Sequence, residues 1–342
     1  MTAAKTHHYR PSVEKIPLLE KEKAPEYTPP TKGVLSVLPA SWVPYAELIR
    51  FDKPFGTFIT QISQVMGLLY ASSLLPASDL PLSLIASRTA QFGLWAFFMR
   101  SGVGCCWNDI VDRDLDALTP RCRNRPMARK AISLPSALTF LAVLTSLAFA
   151  AVWSMGTECV LVGAAMLTLS FIYPLGKRFT DFPQLILGST FGMGIILGAY
   201  SVPGFVRTNK KEELMVATWC LAGALALLIA FNDVVYARAD IADDIKSGVR
   251  GMAVKFRHHL GTLLGVMASS VVGLLVVVGR EAGLGWCYYV FAVGGTAVNL
   301  GMVVGVVQRH EEVKVLPRVC FAATLLSING GFVVEALLER RV

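Results

Sequence analysis

Nine runs of about 20 apolar residues, parted by polar loops, leave few architectures open to this chain. They cover residues 56–75, 88–107, 134–155, 158–175, 184–203, 214–236, 260–279, 284–307 and 318–338. A hydrocarbon core about 30 Å thick is crossed by a helix of about 20 residues, whereas a barrel strand needs only about ten. Helices also satisfy every backbone polar group within the segment, as lipid demands. Charged residues make up only 16% of the 342 and mean hydropathy is +0.54, against about 25% charged residues in soluble proteins. The expected fold class is all-α, a polytopic membrane helical bundle of about nine transmembrane helices.

Basic residues set the expected orientation. Placing the N-terminus and the loops after spans 2, 4, 6 and 8 on one side gathers 24 of the 32 Lys and Arg there. The other side keeps Arg88, Arg207, Lys210, Lys211, Arg280, Arg340 and Arg341, and Arg100 lies within span 2. The positive-inside rule makes the first side cytosolic. The net charge of +8 then reads as a topology signal rather than a nucleic-acid surface. The seven cysteines show no paired spacing and mostly fall inside spans, as small apolar fillers.

Ahead of the first span the composition changes. The stretch "EKIPLLEKEKAPEYTPPTKG" is polar, rich in Pro and mixed in charge. The expectation is a disordered cytosolic tail over residues 1–44 and one membrane domain over 45–342. Mitochondrial presequences are Arg-rich and poor in acids, whereas this tail holds Glu14, Glu20, Glu22 and Glu26. That favours the endoplasmic reticulum over the mitochondrial inner membrane.

Two acidic segments stand out because each continues an apolar span on the same membrane side. In "CCWNDIVDRDLDALTPRCRNRP" (105–126), a helix continuing past Trp107 puts Asn108, Asp112 and Asp116 at 0°, about 40° and about 80°, with Asp109 near 100°. In "FNDVVYARADIADDIKSGVR" (231–250), Asn232, Asp233, Tyr236, Asp240, Asp243 and Asp244 share one face on the same assumption. Clustered carboxylates repel unless a cation lies between them. Mg²⁺ takes one or two carboxylates together with waters and phosphate oxygens, and nearby Arg and Lys suit a diphosphate directly. Two such faces would hold Mg²⁺ ions with a diphosphate between them. The alternative is a pair of solvated helix ends whose arginines only set topology; two matching segments weigh against it.

With "MRSGVGCCWND" (99–109), "NDIVDRDLD" followed by "RCRNRP", "YPLGKRFTDFPQLILG" (173–188) and "YARADIADDIKSG" (236–248) in order, the chain resembles the UbiA superfamily of intramembrane prenyltransferases. The likeness is closest to the 4-hydroxybenzoate polyprenyltransferase branch and covers nearly everything after residue 45. It implies nine helices around a central cavity, with Mg²⁺ and the diphosphate of an allylic isoprenoid held by two Asp motifs. Asn108, Asp109, Asp112 and Asp116 match the first metal motif, and Asp240, Asp243 and Asp244 the second. Arg121, Arg123, Arg125, Lys177 and Arg178 match diphosphate-facing basic positions, and Arg100 an arginine suited to an acidic acceptor. Asn108, Asp112, Asp116, Asp240 and Asp244 are the expected catalytic set.

Several of these positions keep two readings open. Arg100 either pairs with an Asp or binds a substrate anion. Lys177 and Arg178 either meet the diphosphate or end a helix. Tyr173 and Tyr236 either line the substrate site or sit as interfacial aromatics, and Asn232 either faces the cavity or bonds a neighbouring helix. Ala239 and Ala242 depart from the family pattern, where many relatives carry Gln and some another acid.

The resemblance implies Mg²⁺-dependent transfer of an isoprenyl group, farnesyl foremost, to a carbon of an aromatic polyketide acid or pyrone, as in fungal meroterpenoid synthesis. Partners are then an allylic diphosphate, an aromatic acceptor and the bilayer. The housekeeping ubiquinone enzyme and a membrane terpene cyclase are the alternatives. A transporter fits less well, since its acids sit near the midplane between broken helices. A scaffold without activity leaves the acids unexplained.

Overall fold

The computed structural model describes residues 27–75, 81–118, 122–208, 212–309 and 315–339, all helix, turn and coil without a strand among them. Each apolar run forms a long helix: α1 (Phe55–Ser72), α2 (Leu82–Met99), α3 (Leu134–Trp153), α4 (Thr157–Phe179) and α5 (Pro183–Tyr200). Then follow α6 (Glu212–Ala237), α7 (Leu260–Glu281), α8 (Trp286–Gln308) and α9 (Leu316–Glu339). Among the described residues, the seven from α3 to α9 are long and apolar enough to cross a membrane. The expected nine is therefore not met by length and composition alone, because α1 and α2 carry too many polar residues. Those in α1 have a use: Thr60, Ser63 and Gln64 are buried inside the bundle. The molecule is an integral membrane protein.

Packing sorts the helices into inner and outer positions. In α5, 61% of the spanning window is buried, against 28% in each of α3, α7 and α8. The inner helices meet by small residues, since apolar side chains alone give no preference over lipid. A Cβ on Gly67 of α1 would run into the Ile195 carbonyl of α5, and one on Gly198 into the Gln64 carbonyl. Outer helices instead present Leu138, Val143, Val266 and Val298 outward. At the head of α8, Glu335 accepts from the backbone N–H groups of Gly285 (3.2 Å) and Tyr288 (3.0 Å), two donors a helix start leaves unpaired.

Two interruptions position the acidic segments. α2 passes into a π-helical stretch, Arg100–Trp107, before resuming as an α-helix over Asn108–Leu118. α6 stops at Ala237, makes a 3-10 turn over Arg238–Asp240 and restarts as the short helix Ile241–Ser247. Gly248, at φ 71°, closes that helix in the left-handed conformation.

Disorder was expected as far as residue 44, but residues 27–44 hold structure. Val34–Val37 form a 3-10 turn, and the Tyr27 hydroxyl donates to Glu47 at 2.7 Å. Arg129 pairs with the other Glu47 oxygen and lies over the Tyr27 ring, 3.7 Å from its centre. Residues 1–26 lie outside the described part. None of the seven cysteines forms a disulfide.

Candidate active site

The first acidic segment rides on the extension of α2. Asp109, Asp112 and Asp116 are all buried there, and buried carboxylates persist only with partners. Arg50 supplies the first from outside the helix. The short helix Val43–Leu48 ends with the Phe51 N–H on the Ala46 carbonyl (2.9 Å) and the Arg50 N–H on the Glu47 carbonyl (3.0 Å). That closure needs a left-handed residue after the C-cap, usually Gly. Here it is Arg50, at φ 54°. Its two terminal nitrogens donate to Asp109 at 2.8 and 3.2 Å. Burial alone would lower the Arg50 pKa, yet the bond to Asp109 leaves it raised.

Arg125 supplies the second partner, from the loop after the α2 extension. Its Nη1 donates to Asp109 Oδ1 (3.3 Å) and Asp116 Oδ2 (2.8 Å). Lys177, in the last turn of α4, meets Asp112 Oδ2 at 3.4 Å and lies 5.7 Å from the Tyr173 ring centre. Arg178 is exposed and donates to the Val111 carbonyl (2.8 Å), so it holds α4 against the α2 extension instead of reaching a carboxylate. Arg123 is half-buried in the same loop as Arg125. Arg121 and the Asp243 side chain lie outside the described residues.

The second segment differs from the face expected of it. A continuous 100° dial from Asn232 to Asp244 does not apply, because the 3-10 turn breaks the helix before Asp240. Asp240 instead occupies the N-cap position of Ile241–Ser247, and both Asp240 and Asp244 are half-buried. The π-helical stretch Arg100–Trp107 separates Arg100 from the first segment. Beyond the short helix, the chain is tied to the end of α4. Asp181 accepts from Arg250 Nε (2.8 Å) and Lys255 Nζ (3.0 Å), and the Arg250 N–H bonds to the Lys177 carbonyl (3.2 Å). Bonds from Arg250 and Lys255 hold the Asp181 carboxyl below its usual range. Gln184, at the start of α5, accepts from the Met252 N–H (3.1 Å).

Between these segments and the bundle interior lies a cavity of about 850 Å³. Its walls are largely apolar, with Ile59, Met166, Phe191 and Ile229 among them, and Asn232, Asp233 and Tyr236 lead towards the second segment. Arg100 lines it, donating to the carbonyls of Ile49 (3.3 Å) and Lys53 (3.2 Å). Among the described residues it pairs with no Asp. Gly56 makes room for it, since a Cβ there would strike the guanidinium. Arg318 also lines the cavity, 5.8 Å from the Tyr236 ring centre.

Sequence reasoning missed Arg50, Asp181, Gln184 and Arg318. Their partners are distant in the chain, Arg50 standing 59 residues from Asp109. The one local signal was a helix end carrying Arg where Gly is usual.

Among the described residues, no three His, Cys, Asp or Glu side chains form a ready-made metal cage. Mg²⁺ needs none, taking one or two carboxylates with waters and phosphate oxygens. The all-oxygen set of Asn108, Asp112, Asp116, Asp240 and Asp244 fits that chemistry. Asp109 fits it least, being 0% exposed with both oxygens on guanidinium groups.

Comparison with known proteins agrees with this architecture. Residues 65–325 match the UbiA prenyltransferase family. The chain is 47% identical to prenyltransferase ascA of Acremonium egyptiacum, over 98% of this chain and 97% of that one. It is 41% identical to prenyltransferase stbC of Stachybotrys bisbyi (92% and 93% covered) and 36% to the DMOA farnesyltransferase nvfB of Aspergillus novofumigatus (88% and 93%). Among solved structures, an apo UbiA homolog from Aeropyrum pernix superposes with a TM-score of 0.67 at 24% identity, covering 81% of this chain and 97% of that one. One from Archaeoglobus fulgidus, bound to GPP and Mg²⁺, gives 0.59 at 15% identity, with 87% and 100% covered. At those identities the likeness concerns the fold.

Proposed function

The chain belongs to the UbiA prenyltransferase family, and from that premise we propose that it transfers a farnesyl group from an allylic diphosphate to an aromatic carbon. It is an aromatic prenyltransferase of secondary metabolism. Farnesyl is the proposed donor group because a 36% identical relative is named a farnesyltransferase. An aromatic polyketide acid or pyrone is the proposed acceptor class.

The observation that carries the reading is the apolar cavity of about 850 Å³ leading through Asn232, Asp233 and Tyr236 to the second Asp segment. An isoprenoid tail is suited to those walls, with its diphosphate at the acidic, basic-rich end. Asn108, Asp112, Asp116, Asp240 and Asp244 would hold Mg²⁺, which supplies neutralisation of the leaving diphosphate. Arg125 and Lys177 are placed to share that charge. The allylic C–O bond breaks, both electrons leaving with the diphosphate. Walls such as Met166, Phe191 and Ile229 keep water from the allylic cation. An electron-rich ring carbon ortho to a phenol then attacks, and loss of its proton restores aromaticity. Arg100, which among the described residues donates to two carbonyls alone, would orient an acidic acceptor. We place the protein in the endoplasmic reticulum, from the acidic residues of its N-terminal tail, with the N-terminus cytosolic, from its Lys and Arg distribution.

The test uses microsomes from cells expressing the chain, with Mg²⁺ and farnesyl diphosphate, and products read by mass spectrometry. Acceptors offered are orsellinic-type acids, hydroxypyrones and 4-hydroxybenzoate. A farnesylated acid or pyrone is expected. Product from 4-hydroxybenzoate alone would move the protein to quinone synthesis, and a cyclic terpene formed without acceptor would make it a cyclase.

A further inference from the structure

Among the described residues, Asp109 and Arg50 form the most deeply buried ion pair of the site. We infer that Asp109 is a positioning residue, holding Arg50 and Arg125 as a paired-guanidinium cradle for the donor's diphosphate, and is not a metal ligand. Arg50 thereby becomes a further diphosphate-binding residue. The inference rests on the allylic diphosphate of the proposed function.

Three observations carry it. Asp109 is 0% exposed, and each of its oxygens already accepts from a guanidinium. A cation entering there would meet two fixed positive charges. Secondly, Arg50 occupies a left-handed position, φ 54°, where Gly is the unstrained choice. Non-Gly residues persist in that region only when their surroundings over-determine it. Its side chain is what the strained position secures, fixed by Asp109 and by the Leu48 carbonyl at 3.0 Å. Thirdly, among the described residues Arg125 donates through Nη1 alone. Its Nε and Nη2 edge, the planar fork that matches paired phosphate oxygens, is left for another anion. Arg125 is 28% exposed and Arg50 21%, so both stay accessible. Arg50 also lines a second cavity, of about 410 Å³, that touches Arg100.

The alternative, Asp109 as a metal ligand, makes the opposite prediction. Full-length protein purified in detergent would be titrated with Mn²⁺ by electron paramagnetic resonance, and with inorganic diphosphate plus Mn²⁺ by calorimetry. Asp109→Asn and Arg50→Lys should keep Mn²⁺ affinity within about twofold, yet weaken diphosphate about tenfold or more, the scale of a charge-assisted hydrogen bond. Asp112→Asn should weaken Mn²⁺ itself about tenfold. Mn²⁺ loss in Asp109→Asn equal to that in Asp112→Asn would overturn the inference. So would full diphosphate affinity in Arg50→Lys, which carries the test alone if Asp109→Asn does not fold. Wild-type protein that binds neither Mn²⁺ nor diphosphate would instead remove the proposed function, and this inference with it.

Discussion

The two Asp segments end helices of one bundle but are secured in different ways. The first extends α2 as an α-helix, with Asp109, Asp112 and Asp116 buried and each on a basic partner. The second follows a break in α6, with Asp240 and Asp244 half-buried. Its far end is tied to the Lys177–Gln184 region through Asp181, Arg250 and Lys255, and both bases are more than 40% exposed. Removing one partner of a buried pair strands a charge at about 3–5 kcal/mol, whereas an exposed pair is worth about 0–1 kcal/mol. Buried ion pairs therefore hold the first segment, whereas the ties at the far end of the second are exposed.

The largest expected effect removes the difference. Asp112→Ala and Asp240→Ala should each cut turnover by at least about 100-fold, measured in microsomes with membrane abundance matched by immunoblot. Near-normal turnover in both would end the metal-site assignment.

Anchors should then separate the segments. Arg125→Met should cost about 3–5 kcal/mol of stability, because it strands the buried Asp116, while Arg250→Met should cost at most about 1 kcal/mol. Thermal unfolding of the purified variants in detergent reads both, and equal shifts would dissolve the contrast.

A smaller effect concerns the acceptor end. Gly56→Ala should push Arg100 aside and raise the acceptor KM about tenfold with the donor KM unchanged, the loss of one bond to a charged group. An unchanged acceptor KM would free Arg100 from that role.

The smallest effect is a pH dependence at the tie between Asp181 and the far end of the second segment. Arg250 and Lys255 depress the folded pKa of Asp181. A depressed carboxylate contributes stability above its unfolded pKa, about 3.9, and loses it as pH falls through the folded value. Melting temperatures of wild type should therefore show a small added decline below about pH 4 that Asp181→Asn lacks. Identical acid profiles would leave the Asp181 contacts without weight.

Much of the molecule was legible along the chain because its rules are local. A run such as 214–236 declares a helix by length and apolarity, and α6 follows it closely. The spacing of Asp109, Asp112 and Asp116 declares a shared face, and all three are buried. Periodicity failed where backbone geometry changed, at the π-helical stretch Arg100–Trp107 and the 3-10 turn Arg238–Asp240. The first interruption holds Ser101, Gly102 and Gly104, but the second has neither Pro nor Gly, so a uniform 100° step misplaced the second segment.

By itself, then, the sequence determined a helical membrane protein and where its long apolar helices run, since hydropathy and helical period act within one segment. Only the tertiary structure decided which charges neutralise which. Arg50 reaches Asp109 across 59 residues and Arg250 reaches Asp181 across 69. Such pairings depend on where helix ends meet in space, and no spacing along the chain encodes that.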